Sequence, residues 1–156
     1  MSSDFYTFGE PVQFKSLKYR GTIEFIESVN KHNYAKLRRI LKKDGLECVE
    51  FDVSPERPTH PVADIRKLER ICVIFEEDEN KKPFILALRK SFPATLLHLN
   101  LGDYGGPRSL CLFEEDYRSI AHTLTPENFL LRIFSWLSRA ASGEQHLPDQ
   151  PLEPFV

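Results

Sequence analysis

Three cysteines, Cys48, Cys72 and Cys111, are the strongest nucleophile candidates in this chain of 156 residues. Cys48 and Cys72 fall inside apolar stretches and read as small buried hydrophobes. Cys111 stands apart. It follows the Gly-rich segment Gly102-Asp103-Tyr104-Gly105-Gly106, is flanked by Leu110, Leu112 and Phe113, and comes thirteen residues after His98 and soon after Asn100. A free thiol, with a pKa of about 8.5, is thiolate in small part at neutral pH, and the thiolate is the nucleophile. A Cys with His and Asn nearby suits acyl chemistry, but a papain-like arrangement places its His far downstream of the Cys, and that order is absent. Spacing alone therefore leaves both a packing and a chemical role open for Cys111. Glu114, Glu115 and Asp116 follow it closely. One of them could orient or deprotonate an incoming amine; a solvated acidic turn is the better reading for at least two.

Other chemistries find little support. No Ser sits in a Gly-x-Ser-x-Gly elbow, and the Gly-rich segment has no following Lys-Ser/Thr to cradle phosphate. No Cys-x-x-Cys pair occurs and no His lies near a Cys at zinc-ligand spacing, so neither a structural zinc nor any other cofactor is expected. The formal net charge of -2 gives no basic field for nucleic acid. The run Lys36, Arg38, Arg39, Lys42, Lys43 is the exception and reads as a solvated helix face. No apolar stretch reaches the roughly 18 residues of a membrane span. An odd set of widely spaced cysteines and an acidic, aromatic start without signal-peptide pattern point to reduced thiols in a cytoplasm.

The elements that must position Cys111 read as α+β. With 41% hydrophobic and 28% charged residues, the chain can bury a single core. A first helical region is expected within Ser16–Asp44. Ile23, Phe25, Ile26 and Val29 have near-helical spacing, as do Tyr34, Leu37, Ile40 and Leu41; a break is expected near Asn30–Asn33 and a stop at Gly45. Strands are expected over Leu46–Val53, Glu69–Phe75 and Pro83–Arg89, joined by a Pro-rich loop and a short polar connection that favour an antiparallel meander. The last helix is the clearest. Thr125 is its N-cap, Pro126 its first residue and Gly143 its end. Its apolar stripe is Phe129, Leu130, Ile133, Phe134, Leu137 and Ala140, with Trp136 at the edge. The expected organisation is one domain over 1–156, with 1–15 and 144–156 as extended arms, the latter rich in proline.

The order His98-Leu99-Asn100, then a loop, then Ser109-Leu110-Cys111-Leu112, then a helix, resembles the ubiquitin-conjugating enzymes. In that family a helix precedes a four-stranded meander, a His-Pro-Asn tripeptide, a loop with the catalytic Cys, and C-terminal helices. The resemblance runs from about Leu46 to Gly143 and is stronger to the bacterial branch. Ala87-Leu88-Arg89, Phe92-Pro93, the two segments above, Trp136-Leu137 and Asp149-Gln150-Pro151-Leu152-Glu153-Pro154 match that branch in order. It departs in two ways: Leu99 replaces the central Pro, and the loop before Cys111 is longer. Both bear on the placement of Asn100; neither removes the nucleophile.

The resemblance implies a conjugating enzyme in which Cys111 accepts a ubiquitin-like or other C-terminal acyl group as a thioester and passes it to an amine. It implies a ThiF-type adenylating enzyme as partner. It also implies a ubiquitin-like protein or the C-terminus of a nucleotidyltransferase as cargo, a protein target, and a setting in bacterial antiphage (CBASS-like) or ubiquitin-like modification operons. Asn100 would donate to the oxyanion or shape the turn, and His98 would shape the loop more than act in catalysis. Two alternatives stand beside it: a catalytically silent module of the same fold that docks a ubiquitin-like protein or adenylating enzyme, and an unrelated α+β interaction domain in which Cys111 only packs. The end at Val156 fits either a natural terminus or a link to an adenylating domain.

Overall fold

A computed structural model describes residues 4–79, 81–93, 99–100, 108–110, 117–121 and 124–143, with the backbone alone for residues 99, 100, 108, 118 and 119. Its elements run β1 (Glu10–Pro11), α1 (Arg20–Lys31), β2 (Ala35–Lys43), β3 (Leu46–Val53), β4 (Glu69–Phe75), β5 (Phe84–Ala87), β6 (Leu99–Asn100), β7 (Arg108–Leu110), α2 (Tyr117–Ile120) and α3 (Pro126–Ser142). The strands form one antiparallel sheet in the order β1-β2-β3-β4-β5-β7-β6. The class is α+β, as expected, and β3 and β4 have the expected bounds.

The second half of the expected helical region is a strand. β2 pairs with β3 from Ala35↔Val53 to Lys43↔Leu46. A bulge between Leu37 and Arg39 inserts one extra residue, so Leu37 faces Phe51 and Ile40 faces Val49 on the same side of the sheet. That insertion turns a two-residue strand period into the three-residue spacing that mimics a helix. Gly45 does not stop a helix but completes the hairpin: Asp44 (φ 50°) and Gly45 (φ 81°) are both left-handed, which suits a two-residue type I′ turn. The basic run faces carboxylates on β3 and is no solvated helix face. Arg39 bonds Glu50 through Nε and Nη2 at 3.2 and 3.0 Å. Lys42 Nζ lies 3.7 Å from Glu47, and Arg38 Nε lies 3.6 Å from Asp52. α1 ends at Lys31, where the break was expected.

α1 and α3 cover one face of the sheet. Phe25 and Val29 of α1, Val49, Phe51, Ile71 and Val73 of the sheet, and Phe129, Leu130, Ile133 and Leu137 of α3 share one core. The Phe25 ring lies 5.4 Å from that of Phe51 and 5.3 Å from that of Phe129, edge-on and tilted. α3 is capped as expected: Thr125 accepts a bond from the Asn128 amide at 3.1 Å, and Gly143 takes φ 80°. Trp136 is not at the edge. It is 4% exposed and stacks on Phe92 with centroids 6.4 Å apart, while Phe134 is only partly buried. Ile133, Trp136, Leu137 and Ala140 follow the i, i+3, i+4, i+7 spacing, which places the indole on the stripe.

The opposite face is closed by the N-terminal segment. Phe5 forms a bridge with Arg89, and Tyr6 N–H donates to Leu88 O at 2.8 Å. Further along, Val12 N–H donates to Ile40 O at 2.8 Å, so the segment crosses the sheet from the β5 side to β2. Phe5, Tyr6 and Phe8 pack on Leu41, Cys48, Cys72, Ile74 and Leu88. Cations stack on all three rings: Arg70 on Phe5 at 4.3 Å, Lys90 on Tyr6 at 5.6 Å and Lys43 on Phe8 at 5.0 Å.

That cover explains the state of two of the three thiols. Cys48 and Cys72 are both 0% exposed, and Cys72 is pushed well above its usual thiol value by its hydrogen bond with Cys48 and by burial. Native alkylation should therefore leave both unmodified. Replacing Phe5, Tyr6 and Phe8 together by alanine should open both to the reagent and cost roughly 2–4 kcal/mol, the worth of three partly buried rings. Peptide mapping after a short iodoacetamide pulse checks this. Rapid labelling of Cys48 and Cys72 in the unsubstituted protein would contradict it.

Candidate active site

Of the residues singled out around the nucleophile, Asn100 lies within the described backbone. Cys111, His98, Glu114, Glu115 and Asp116 lie outside the described residues. The backbone still brings the two motif segments together. β6 and β7 are antiparallel neighbours, with Leu99 opposite Leu110 and Asn100 opposite Ser109. Cys111 is the next residue in the chain after Leu110. Segments separated in sequence by the Gly-rich stretch are thus joined as adjacent strands, and Asn100 is placed across from the residue two before Cys111.

β7 is held from its other side by β5, through Leu86↔Ser109 and Ala87↔Arg108. Leu110 is 2% exposed in the main core. These contacts give a well-packed strand that ends one residue before Cys111 in the chain.

A buried ionic cluster follows β5 directly. Arg89 is 6% exposed and Glu69, at the head of β4, is 0% exposed. Arg89 Nε and Nη2 donate to Glu69 Oε1 and Oε2 at 3.0 and 2.7 Å. Nη1 donates to Ser91 Oγ at 2.8 Å and Asp64 Oδ2 at 3.2 Å, and Nη2 also donates to Asp64 O at 2.6 Å. Burial alone would lower the Arg89 pKa; the bonds and charges of Glu69 and Asp64 outweigh it and hold the pKa above its ordinary value. Asp64 is held below the usual carboxylate range, chiefly by its bond with Arg66; burial opposes this, and the charges of Arg89 and Arg66 add to the lowering. Sequence reasoning assigned Arg89 no role beyond a motif match. The available signal was a cation at the end of the apolar run Phe84–Leu88, which must find a buried carboxylate.

A cleft of about 250 Å³ lies between the start of α1, the β4–β5 connection and α2, lined by Tyr19, Phe25, Phe75, Tyr117 and Phe129. Among the described residues no group of His, Cys, Asp and Glu could hold a metal, and no helix is long and apolar enough to cross a membrane.

The family model described as Prokaryotic E2 family A matches residues 42–156, well over half of the chain, from the end of β2 through both motif segments and α3. The chain belongs to prokaryotic E2 family A. No curated protein and no solved structure matches it. Membership supports, at a coarse level, a ubiquitin-conjugating-like role, with ubiquitin-like proteins or an E1-like enzyme as the general kind of partner. In this prokaryotic E2 the β6–β7 pair lies within the matched region, whereas the N-terminal segment, α1 and nearly all of β2 precede it.

Proposed function

We propose that this prokaryotic E2 is an active acyl carrier with the ubiquitin-conjugating-enzyme fold in one domain, and that Cys111 forms the thioester. The observation that carries the reading is the register of β6 on β7, which sets Asn100 opposite Ser109, beside the Leu-Cys-Leu segment, inside the family match. Loading is attack by the Cys111 thiolate on the carbonyl carbon of an activated C-terminus. A new carbon–sulfur bond forms, the donor's leaving group departs with the electron pair of its own bond, and the proton from Cys111 neutralises it or passes to water. Thiol-to-thiol exchange is nearly isoenergetic, so it needs little beyond a thiolate fraction and access. Discharge is attack on that carbonyl by an amine: the nitrogen–carbon bond forms, Sγ leaves as thiolate, and the amine's proton returns to it.

No adenylation motif occurs within these 156 residues, so activation comes from an adenylating enzyme outside them, separate or fused. We take that enzyme to be ThiF-type and the cargo to be a ubiquitin-like protein or a nucleotidyltransferase C-terminus, in a bacterial cytoplasm and in antiphage defence. The resemblance of the motif segments supports these assignments. Asn100 is the candidate oxyanion donor, His98 shapes the loop, and one of Glu114, Glu115 and Asp116 could orient or deprotonate the amine.

The test is direct. Mixed with its cognate adenylating enzyme, cargo and ATP, the protein should gain an adduct that reductant removes. Cys111→Ser should give an adduct that reductant does not cleave. An ATP-independent adduct, or none with any cargo encoded beside it, would overturn the reading.

A further inference from the structure

We propose that Arg89 is a positioning residue for the Cys111 site, acting through the chain that leaves β5 and through β7. The inference rests on the reading of Cys111 as the acyl carrier.

A guanidinium has five N–H donors in a fixed planar fork. Arg89 uses all of them, on Glu69, Asp64 and Ser91, with three bonds to side chains of other elements and one to a backbone carbonyl besides its bond to Ser91. Such saturation in a buried setting fixes the guanidinium plane and the backbone that bears it. The same backbone is pinned by β4 and by the N-terminal segment: Leu88 N–H donates to Arg70 O at 2.9 Å, Lys90 N–H donates to Asp4 O at 3.0 Å, and Phe5 bridges Arg89. Phe92 N–H then donates to Arg89 O at 3.0 Å, the guanidinium lies 5.6 Å from the Phe92 ring centre, and that ring stacks on Trp136 of α3. Residues 88–92 are therefore locked to β4, to the loop carrying Asp64, to the N-terminal segment and to α3 at once.

Two described links carry this rigidity to the site. Ala87, two residues before Arg89, faces Arg108 on β7, and β7 runs to Leu110, the residue before Cys111. Phe92, Leu110 and Trp136 are buried in the same core. An ionic cluster built only for stability could lie anywhere; this one sits where the chain leaves the sheet toward Asn100. Displacement of reacting groups by about 1 Å can cost on the order of a hundredfold in rate.

Lysine at position 89 keeps the charge but has three donors on a flexible stem and cannot reproduce the fork. The control is Arg39→Lys, at the forked pair Arg39–Glu50 on the far side of the sheet. Each variant is compared with the unsubstituted protein by thermal melting, single-turnover loading, single-turnover discharge to an amine, and hydrogen exchange of the β6 and β7 amides. For Arg89→Lys, discharge should slow about 10–100-fold with loading changed less than about threefold, and the β6 and β7 amides should exchange about tenfold faster or more at a temperature where the protein is fully folded. Arg39→Lys should change neither. Discharge and exchange at the unsubstituted level in Arg89→Lys, or equal effects in the two variants at equal loss of melting temperature, would overturn the proposal. Failure of the underlying reading shows separately, as an unsubstituted protein that takes no acyl group. In that case the amide exchange decides: faster exchange confined to Arg89→Lys sustains the positioning of β6 and β7, and unchanged exchange removes it.

Discussion

Replacing Asn100 by alanine should leave loading of Cys111 nearly intact and slow discharge to an amine by roughly 10²–10³-fold. The two steps share a thiol but make different demands. During loading the adenylating enzyme supplies much of the geometry around the carbonyl. During discharge, on the proposed reading, the oxyanion would develop in this protein's own site, and Asn100 lies on β6 opposite Ser109 of β7. A donor accelerates only the step whose transition state it contacts. Side-chain amides also make turns, and that role gives a different pattern: loading and discharge fall together and the melting temperature drops. Single-turnover rates for both steps, with a melting curve on the same sample, separate the two. Equal losses would remove the oxyanion role from Asn100 and leave Cys111 as the nucleophile.

Glu69→Ala should cost about 3–5 kcal/mol of folding stability, because it leaves the Arg89 guanidinium buried without its main counter-charge. Total stability of a domain this size is on the order of 5–15 kcal/mol, so the variant should unfold at markedly lower denaturant. Glu69 carries three bonds of the cluster, two from Arg89 and one from the Arg66 amide at 2.8 Å. Changing both Glu69 and Arg89 to methionine should restore much of the loss, since a well-packed apolar pair can replace a buried ionic one. Equilibrium denaturation of the single and double variants measures this, and a loss below about 1 kcal/mol in Glu69→Ala would show the cluster to be solvated. Asp64 adds a pH dependence of known sign. Its pKa is lowered in the folded state, so its contribution is present above the ordinary carboxylate value and is lost as pH falls through the lowered one. Its side chain is 55% exposed, so this part is small.

How far the sequence disclosed this arrangement depended on whether the signals were local. Thr125, Pro126 and Gly143 fix α3 through backbone chemistry within one turn, and the helix has those ends. β3 and β4 are continuous apolar or alternating runs between polar connections, and both were legible to the residue. β2 was not, because the bulge after Leu37 adds a residue and disguises the strand period. The role of Phe5, Tyr6 and Phe8 depends on Cys48, Cys72 and Leu88, which only the folded sheet brings near them. Arg89 was visible as a residue, but its partners Asp64 and Glu69 are 25 and 20 positions away, and no periodicity connects them. For the site itself, the order of the two motif segments was legible from their resemblance to a family; their adjacency as β6 and β7 is a long-range pairing across the Gly-rich stretch.

The central claim is that one thiol of three carries the acyl group. Cys111→Ala, Cys48→Ala and Cys72→Ala proteins, each shown to be folded by its melting curve, are incubated with the adenylating enzyme, cargo and ATP and resolved with and without reductant. The expected result is a reductant-sensitive adduct in the Cys48 and Cys72 variants and none in Cys111→Ala. An adduct that persists in Cys111→Ala and disappears in either of the others would contradict the assignment.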